Sequence, residues 1–511
     1  MKYIFVVEAI SSGRYYVREA AERGCTPVVL FPRMAAEAAH YAPFRASVEK
    51  YLRQYTEHVY YLDDDEIDGT ALLEKFRPEA IVAGSEVGVA LCDLLARKAG
   101  LPGNDPATSA VRRDKYAMAA AVERAGVPSL ISRRVKNPDE ALAAAREINS
   151  WPVVIKPLEG AGSLGVSICG SMDELRERCA RLLRSEDLFG QPCREALVQE
   201  YAAGTEYIVN TVSCGGRHYL TDMWRYRKIK IADRGNAYDH ALLVSEPTAE
   251  ERELFEYVKS CLDALCFEYG PSHTEAMITP KGPRLIEAGA RPMGSILDID
   301  VFHEATGHRI VDLALDSALE PEKLRARMEK PYGTLKSLMI MCLRSKVSMA
   351  NVASAPLKNI LKYVGTVRVA DLSPFESKRE LRETIDLASL PGELYLCGDE
   401  KSLRRDYEAL LKLEEEGFEY LFGREELMLD EPRAALRRGC EERQILRGGG
   451  KTAWTLMIEA LGEASREVGA EGALVISGET PETRRALSML LPAFGLTAAE
   501  RSGDTEKWIR A

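Results

Sequence analysis

Two glutamates, Glu275 and Glu287, stand on two short apolar runs of this sequence. The runs are joined by residues 280–282, Pro-Lys-Gly, which favour a tight turn, so the segment is predicted to form a β-hairpin. Side chains alternate between the two faces of a strand, and this alternation groups Glu287 with Leu285 and Gly289. Two acids on one hairpin repel each other unless a cation lies between them, and Mg²⁺ is the usual cation where phosphates are bound. A solvated hairpin with two surface acids is the alternative interpretation.

A lysine and a glycine-rich loop precede this hairpin. Lys156 ends an apolar run, and Gly160, Gly162 and Gly165 follow before a second run. Backbone amides of such a loop can close over phosphates while the lysine neutralises their charge. The spacing is neither that of the P-loop nor that of the dinucleotide-binding fingerprint, and a strand rather than a helix follows. The segment therefore indicates a phosphate-binding hairpin of another kind.

A second arrangement of strand, small-residue turn and strand occupies residues 196–209, with Glu200 and Glu206 on either side of the turn. The edge of such a strand can hydrogen bond an adenine through backbone groups, and Glu206 can accept hydrogen bonds from ribose hydroxyls. Upstream, Lys115 is predicted at the start of a helix, where a positive charge is unfavourable for the helix dipole. That position indicates an anion nearby.

Two further side chains are candidates for contact with a substrate. Glu86 follows the apolar run 80–83, and loops after the strands of a parallel sheet bind ligands, so Glu86 is a candidate partner for an ammonium group. The alternative is a helix start capped by Ser85, with Glu86 favouring the dipole. His240 is adjacent to Asp239, and histidine is the side chain that ordinarily titrates near neutral pH, which suits a general base. A histidine with only local hydrogen bonds is an equal alternative.

The elements that must position these residues are read from hydrophobic periodicity. Apolar runs at 3–7, 27–31 and 80–83 alternate with helical patterns at 15–23 and 88–99, which predicts a parallel α/β unit. Four domains are predicted: an N-terminal α/β domain at 1–104, a small lobe with the glycine-rich loop at 105–200, a large lobe with the hairpin at 201–425, and a C-terminal extension at 426–511. The extension contains one clear apolar strand, Ala473–Ser477.

Composition excludes several classes of protein. The 511 residues carry a net charge of −11, and no run of Lys and Arg with interleaved aromatics appears, so no nucleic-acid partner is expected. No apolar stretch approaches the ~20 residues that span a bilayer, and no signal peptide is recognised, so no membrane association is expected. Eleven cysteines without close pairs favour reduced thiols and a cytoplasmic location.

Taken in order, these motifs resemble the ATP-grasp superfamily. The resemblance covers roughly residues 1–425 and rests on Arg113-Asp-Lys115, Val154-Ile-Lys156 with its glycine loop, Gln199-Glu-Tyr-Ala202 with Gly204-Thr-Glu206, Glu275, and Glu287-Ala-Gly-Ala-Arg291. Leu101-Pro-Gly-Asn104 and the Glu287-to-Pro292 ending are most similar to the amino-acid ligase group, which makes dipeptides and related amides. The resemblance implies the ATP-grasp fold: a parallel α/β domain followed by two α+β lobes that clasp ATP.

The resemblance also implies roles for individual residues. The ATP contacts would be Lys115, Lys156, Gly160, Gly162, Ser163, Gly165, Glu200, Tyr201, Ala202 and Glu206. The magnesium ligands would be Glu275 and Glu287, with Mn²⁺ able to replace Mg²⁺. The substrate contacts would be Glu86, Arg291 and Ser295, and the catalytic residues Arg291, Lys156 and His240. Many members carry Asn, a third metal ligand, where this chain has Gly289, and the amino-acid ligase group tolerates a small residue there.

The implied activity is ATP- and Mg²⁺-dependent ligation of a carboxylate, such as an amino acid, to an amine through an acyl-phosphate, with release of ADP and phosphate. The expected partners are small molecules, ATP and amino acids, with a homodimer as the expected assembly. Two alternatives remain open at this point. One is an ATP-grasp carboxylase or purine-pathway enzyme, and the other is a non-catalytic ATP-binding scaffold.

Overall fold

The computed structural model describes residues 1–37, 42–160, 165–186, 191–230, 236–294, 296–346, 348–350, 357–358, 361, 364–374, 380–385, 389–416, 473–477, 496–502 and 505–510. The chain divides into two compact units, one made of residues 1–226 and 243–335, the other of residues 227–242 and 336–511. Among the helices that the structure describes, none is long and apolar enough to cross a lipid bilayer.

The first unit begins with a parallel sheet in the order β3-β2-β1-β4. Its strands are β1 (Tyr3–Val7), β2 (Thr26–Phe31), β3 (Val59–Tyr61) and β4 (Ala80–Ala83), and its helices are α1 (Tyr15–Glu22), α2 (Arg33–Glu37), α3 (Ala42–Leu52), α4 (Asp65–Phe76) and α5 (Gly88–Ala99). The predicted bounds of β1, β4 and α5 agree with the structure, and a parallel α/β unit is confirmed.

The start of α5 corrects the alternative interpretation of Ser85. The helix has no side-chain cap from the residue that precedes it. The buried carboxylate of Glu8 takes that role, since it accepts hydrogen bonds from the backbone N–H of Gly88 (2.8 Å) and from the hydroxyl of Ser85. Ser85 therefore fixes Glu8 rather than the helix, and Glu86 follows it in the loop between β4 and α5.

A second, smaller sheet in the order β5-β8-β6-β7 carries the glycine-rich loop. Its strands are β5 (Ser132–Val135), β6 (Val153–Pro157), β7 (Ser167–Cys169) and β8 (Ala196–Glu200), and α6 (Lys115–Arg124), α7 (Pro138–Ile148) and α8 (Met172–Leu182) accompany them. The helices α7 and α8 begin at Asn137 and Ser171, whose side chains accept hydrogen bonds from backbone N–H groups in the first turn. Both helices pack their apolar faces on the sheet.

The large sheet of the first unit has the order β13-β12-β9-β10. Its strands are β9 (Thr205–Cys214), β10 (Arg217–Lys230, to Tyr226 in this unit), β12 (Tyr269–Thr279) and β13 (Gly282–Gly289), and its helices are α9 (Ala249–Ala264), α10 (Ile299–Thr306), α11 (Ile310–Leu319) and α12 (Pro321–Met328). The start of β12 is anchored by Asn104, whose side-chain oxygen accepts hydrogen bonds from the N–H groups of Glu268 and Tyr269. The hairpin is thereby tied to the end of the parallel α/β domain.

The hairpin of β12 and β13 forms as predicted, with Glu275 directly opposite Glu287. The register shifts beyond this pair, because Leu285 lies opposite Ala276 and leaves Ile286 as the extra residue of a β-bulge. The predicted grouping of Leu285 with Glu287 is therefore wrong. The bulge allows Ala276 and Leu285 to join the hydrophobic core while both carboxylates lie on the opposite face.

The second unit contains β11 (Asn236–Leu243, to Leu242 in this unit), β14 (Ser337–Cys342), β15 (Met349–Ala350), β16 (Val367–Asp371), β17 (Glu380–Leu381), β18 (Glu393–Gly398) and α13 (Glu400–Glu416). The strands β11, β14, β18 and β16 are neighbours in this order, and β15 pairs with β17. In the C-terminal extension, β19 (Ala473–Ser477) has the predicted bounds. Two strands that were not predicted, β20 (Leu496–Ser502) and β21 (Thr505–Arg510), complete an antiparallel sheet with it.

Candidate active site

The two lysines and the two hairpin acids come together in the first unit. Lys115, the first residue of α6, donates a hydrogen bond to the carbonyl oxygen of Gly160 (3.0 Å), and its Nζ atom is 3.1 Å from Oε1 of Glu287. It therefore joins the glycine-rich loop to the hairpin. The helix start is balanced by Asp114, whose carboxylate accepts hydrogen bonds from the first-turn N–H groups.

Lys156, on β6, belongs to the same group of charged side chains and is 5 % exposed. Burial, and after it repulsion from Lys115, lower the pKa of its ammonium group to about 8. The carboxylates of Glu287, Glu275 and Glu206 oppose this shift, which places all three acids within electrostatic reach of the lysine. The predicted phosphate lysines and metal acids thus form one cluster of opposite charges.

The predicted adenine hinge follows the end of β8. The backbone N–H of Glu200 already donates to the carbonyl oxygen of Ile131 (2.8 Å), so it is not available to a base. Tyr201 and Ala202 leave the strand and, with the carbonyl group of Glu200, are the remaining backbone candidates. The turn after them needs glycine, because a Cβ atom on Gly204 would lie 2.0 Å from the carbonyl oxygen of Ile278. Glu206 follows on β9, opposite Met277.

The predicted substrate contacts Glu86 and Arg291 meet in the structure. The Nε atom of Arg291 donates to Oε2 of Glu86 (3.2 Å), and Nη1 donates to the carbonyl oxygen of Pro292 (2.9 Å). Both side chains are largely buried, with 20 % of Glu86 and 14 % of Arg291 exposed. Burial raises the pKa of Glu86, Arg291 and Lys115 oppose that shift, and Glu287 adds to it. The pair therefore lies beside the acid and lysine cluster.

The structure also shows a buried polar row behind Glu275, which the sequence did not predict. The Nε2 atom of His273 is 3.7 Å from Oε1 of Glu275, and its Nδ1 atom is 3.0 Å from Oδ1 of Asn210. The amide nitrogen of Asn210 donates to Asp222, which also accepts a hydrogen bond from the indole of Trp224. This row packs against the carboxylate of Glu275. The position of His273 two residues before Glu275, on the same strand face, was the available signal.

His240 belongs to the second unit, on β11, where it pairs with Met341 of β14. Its Nδ1 atom is 3.0 Å from Oδ2 of Asp239 and 3.2 Å from the hydroxyl oxygen of Tyr407. The predicted neighbour Asp239 is thus its hydrogen-bond partner. Three predicted site residues, Gly162, Ser163 and Ser295, lie outside the described residues.

The two hairpin acids fit a hard divalent cation. Glu275 and Glu287 are direct cross-strand partners, and the ammonium group of Lys115 already neutralises part of their charge. In the described part of the chain, no group of three or more His, Cys, Asp or Glu side chains is placed to hold a metal by itself. Two carboxylates completed by phosphate oxygens and water match the coordination that Mg²⁺ adopts with nucleotides.

Comparison with known proteins agrees with this arrangement. Residues 149–300 match the family model of the ATP-grasp domain. Dapdiamide A synthase of Enterobacter agglomerans is 30% identical over 353 residues, which are 68% of this chain and 82% of that protein. Alanine–anticapsin ligase of Bacillus subtilis is 34% identical over 98 residues, 19% of this chain and 21% of that protein.

The fold has a solved counterpart in the crystal structure of L-amino acid ligase from Bacillus licheniformis. Its TM-score is 0.56 at 16% identity, over 80% of this chain and 97% of that one. This chain belongs to the ATP-grasp family. It is an ATP-dependent carboxylate-amine ligase that forms amide bonds.

The lowered pKa of Lys156 predicts how ATP affinity depends on pH. In the free protein the ammonium group loses its proton above about pH 8, whereas bound phosphates raise its pKa. ATP affinity should therefore be constant below this pH and fall by up to about tenfold per pH unit above it, because binding then requires proton uptake. Calorimetric titration with a non-hydrolysable ATP analogue across this range measures the effect.

The matched variant is Lys156→Arg, since arginine stays charged throughout this range. Its affinity should show no bend near pH 8, provided that its melting temperature shows an intact fold. An equal bend in this variant would mean that another group titrates on ATP binding.

Proposed function

We propose that this ligase activates the carboxyl group of an amino acid with Mg²⁺ and ATP and couples it to the amine of a second amino acid. The observation that carries the proposal is the convergence of two lysines, two hairpin acids and the Glu86–Arg291 pair in one unit. The relatives support amino-acid substrates, since one is named for the joining of alanine to anticapsin. Phosphorylation of a carboxyl group and attack by an amine require groups that bind the phosphates, the metal ion and the substrate.

The first step transfers the γ-phosphoryl group of ATP to a carboxylate oxygen, with ADP as the leaving group. Bound Mg²⁺ would supply charge neutralisation between the phosphates, with Glu275 and Glu287 as its protein ligands. Lys156 and Lys115 add positive charge, and backbone N–H groups at Gly160 and Gly165 would contact the phosphates. This work is largely electrostatic, because little covalent chemistry is left to the protein in phosphoryl transfer.

Arg291 holds the carboxylate during this step and the oxyanion during the next. Its Nε is occupied by Glu86 and one Nη1 donor by Pro292, and among the described residues Nη2 has no protein partner. The remaining donors form the planar edge that a carboxylate accepts in bidentate fashion. Glu86, beside it, is suited to the ammonium group of the same substrate.

The second step needs a neutral amine, which attacks the acyl-phosphate and releases phosphate. His240 was predicted to be the base that removes this proton, and this role stays a prediction, because His240 belongs to the second unit. The hydroxyl of Tyr407 donates to Asp239 (2.5 Å), so its oxygen and the carboxylate both accept from Nδ1 of His240. Burial of Asp239 is outweighed by these hydrogen bonds, and its pKa lies below the usual value. Nδ1 of His240 is therefore held by Asp239 and Tyr407 together.

The products of ATP test the acyl-phosphate route directly. We expect stoichiometric ADP and phosphate, and an amide product detected by mass spectrometry in a screen of amino-acid pairs. Pyrophosphate and AMP in stoichiometric amount would show that the carboxyl group is adenylated instead. If no pair of amino acids in the screen led to consumption of ATP, the proposal that amino acids are the substrates would be wrong.

A further inference from the structure

Gly289 occupies the position where many members of the family carry the third metal ligand. It ends β13 and lies directly opposite His273 of β12. A Cβ atom built on Gly289 would lie 2.8 Å from Oε2 of Glu86, and 3.5 Å and 3.6 Å from Cγ and Nε of Arg291. The space that a side chain at 289 would fill is therefore taken by the Glu86–Arg291 pair.

The loop that carries Glu86 is held close to β1 by its own glycines. A Cβ atom on Gly84 would lie 2.4 Å from the carbonyl oxygen of Glu8, and one on Gly88 would lie 2.6 Å from that of Val7. Both are contacts with backbone atoms, so the backbone on either side of Glu86 is fixed. Glu86 can respond to a side chain at 289 only by swinging its own carboxylate away from Arg291.

We propose that Gly289 determines substrate specificity: its missing side chain lets Glu86 pair with Arg291, and the pair recognises an acid substrate that bears a free α-ammonium group. In an α-amino acid the ammonium and the carboxylate are attached to the same carbon, so they can meet Glu86 and Arg291, which are 3.2 Å apart, at the same time. The position serves recognition of the substrate instead of metal binding. This inference rests on the proposed function.

The test compares Gly289→Ala with the wild-type protein in a hydroxamate assay, where hydroxylamine replaces the amine and only the acid varies. The acids are L-alanine and propionate, which differ by the ammonium group, and then each amino acid accepted in the product screen with its des-amino analogue. The variant should fold, because the one close contact of the new methyl group is with the end of the flexible Glu86 side chain, and its contacts with Arg291 are at ordinary van der Waals distance. We expect kcat/KM for the amino acid to fall about 10- to 100-fold, the usual range for loss of a charged hydrogen bond, while that for the des-amino acid is unchanged.

Two further variants make the result specific. Gly333→Ala is the matched control, since a Cβ atom there meets nothing within 4 Å, and its discrimination should equal that of the wild type. Glu86→Gln should lose the same discrimination, and Gly289→Ala added to it should cause no further loss, because both changes remove one interaction. The KM for ATP should be unchanged in all of them.

Unchanged discrimination in Gly289→Ala, or additive losses in the double variant, would overturn the inference while the ligase activity of the wild type upholds the proposed function. A wild-type protein that forms no hydroxamate or amide from any amino acid would overturn both.

Discussion

Replacing Glu287 by glutamine is expected to lower kcat for amide formation by at least about 10²-fold without loss of the fold. Glutamine has the same size but cannot serve as an anionic ligand for Mg²⁺. The hairpin should persist, because its backbone pairing does not depend on this charge and because the repulsion from Glu275 opposite is removed. Steady-state kinetics and thermal melting measure the two effects.

The matched control is Glu268→Gln, an exposed glutamate just before β12 whose replacement removes the same charge. Its kcat should equal that of the wild type. If Glu287→Gln lowered the melting temperature by more than about 5 °C, a shift that corresponds to a destabilisation of over 1 kcal/mol, Glu287 would have a structural role. The loss of the Lys115 contact would then be the cause to examine.

Arg291→Lys is expected to lose about 10²- to 10³-fold in amide formation while its ATP affinity is retained. In the structure, one guanidinium group contacts Glu86 and Pro292 and still has an edge of donors for the substrate. A lysine keeps the charge near Glu86 but is a point charge without a planar pair of donors. The loss should therefore appear in the chemical step and in KM for the acid, and not in KM for ATP.

Arg284→Lys is the control for this change, since Arg284 lies on β13, which ends two residues before Arg291, and its side-chain hydrogen bonds in the described part of the chain go to the carbonyl oxygens of Lys281 and Pro283. It should retain wild-type kinetics. Near-normal turnover in Arg291→Lys, with an unchanged KM for the acid, would show that Arg291 is a peripheral charge. The reacting end of the site would then have to be sought elsewhere.

Elements whose signals are local could be predicted from the amino-acid sequence. Alternation and turn residues predicted the hairpin of Glu275 and Glu287, and the structure places these acids directly opposite each other. Apolar runs predicted β1, β4, α5 and β19 with their observed bounds, because a buried strand or an amphipathic helix repeats its pattern over few residues. The order of the motifs was enough to indicate the family.

Contacts between residues far apart in the chain could not be predicted in this way and became visible only in the fold. A bulge at Ile286 reversed the face of Leu285, since one extra residue moves every following side chain to the other side of a strand. The capping of α5 by Glu8, the row of His273, Asn210 and Asp222, and the pairing of Tyr407 with Asp239 are further cases. Such partners depend on which strands become neighbours, and periodicity in a sequence does not encode this.

Gly289 is a residue whose role differs between the sequence and the fold. From the sequence it was a departure from the family pattern, a small residue in the place of a third metal ligand, as the amino-acid ligase group tolerates. In the fold its Cα lies beneath the carboxylate of Glu86, which arrives from a loop about two hundred residues earlier in the chain. The sequence shows that position 289 is a glycine. The reason for the missing side chain is that Glu86 fills the space, and only the close packing of the folded chain brings Glu86 there.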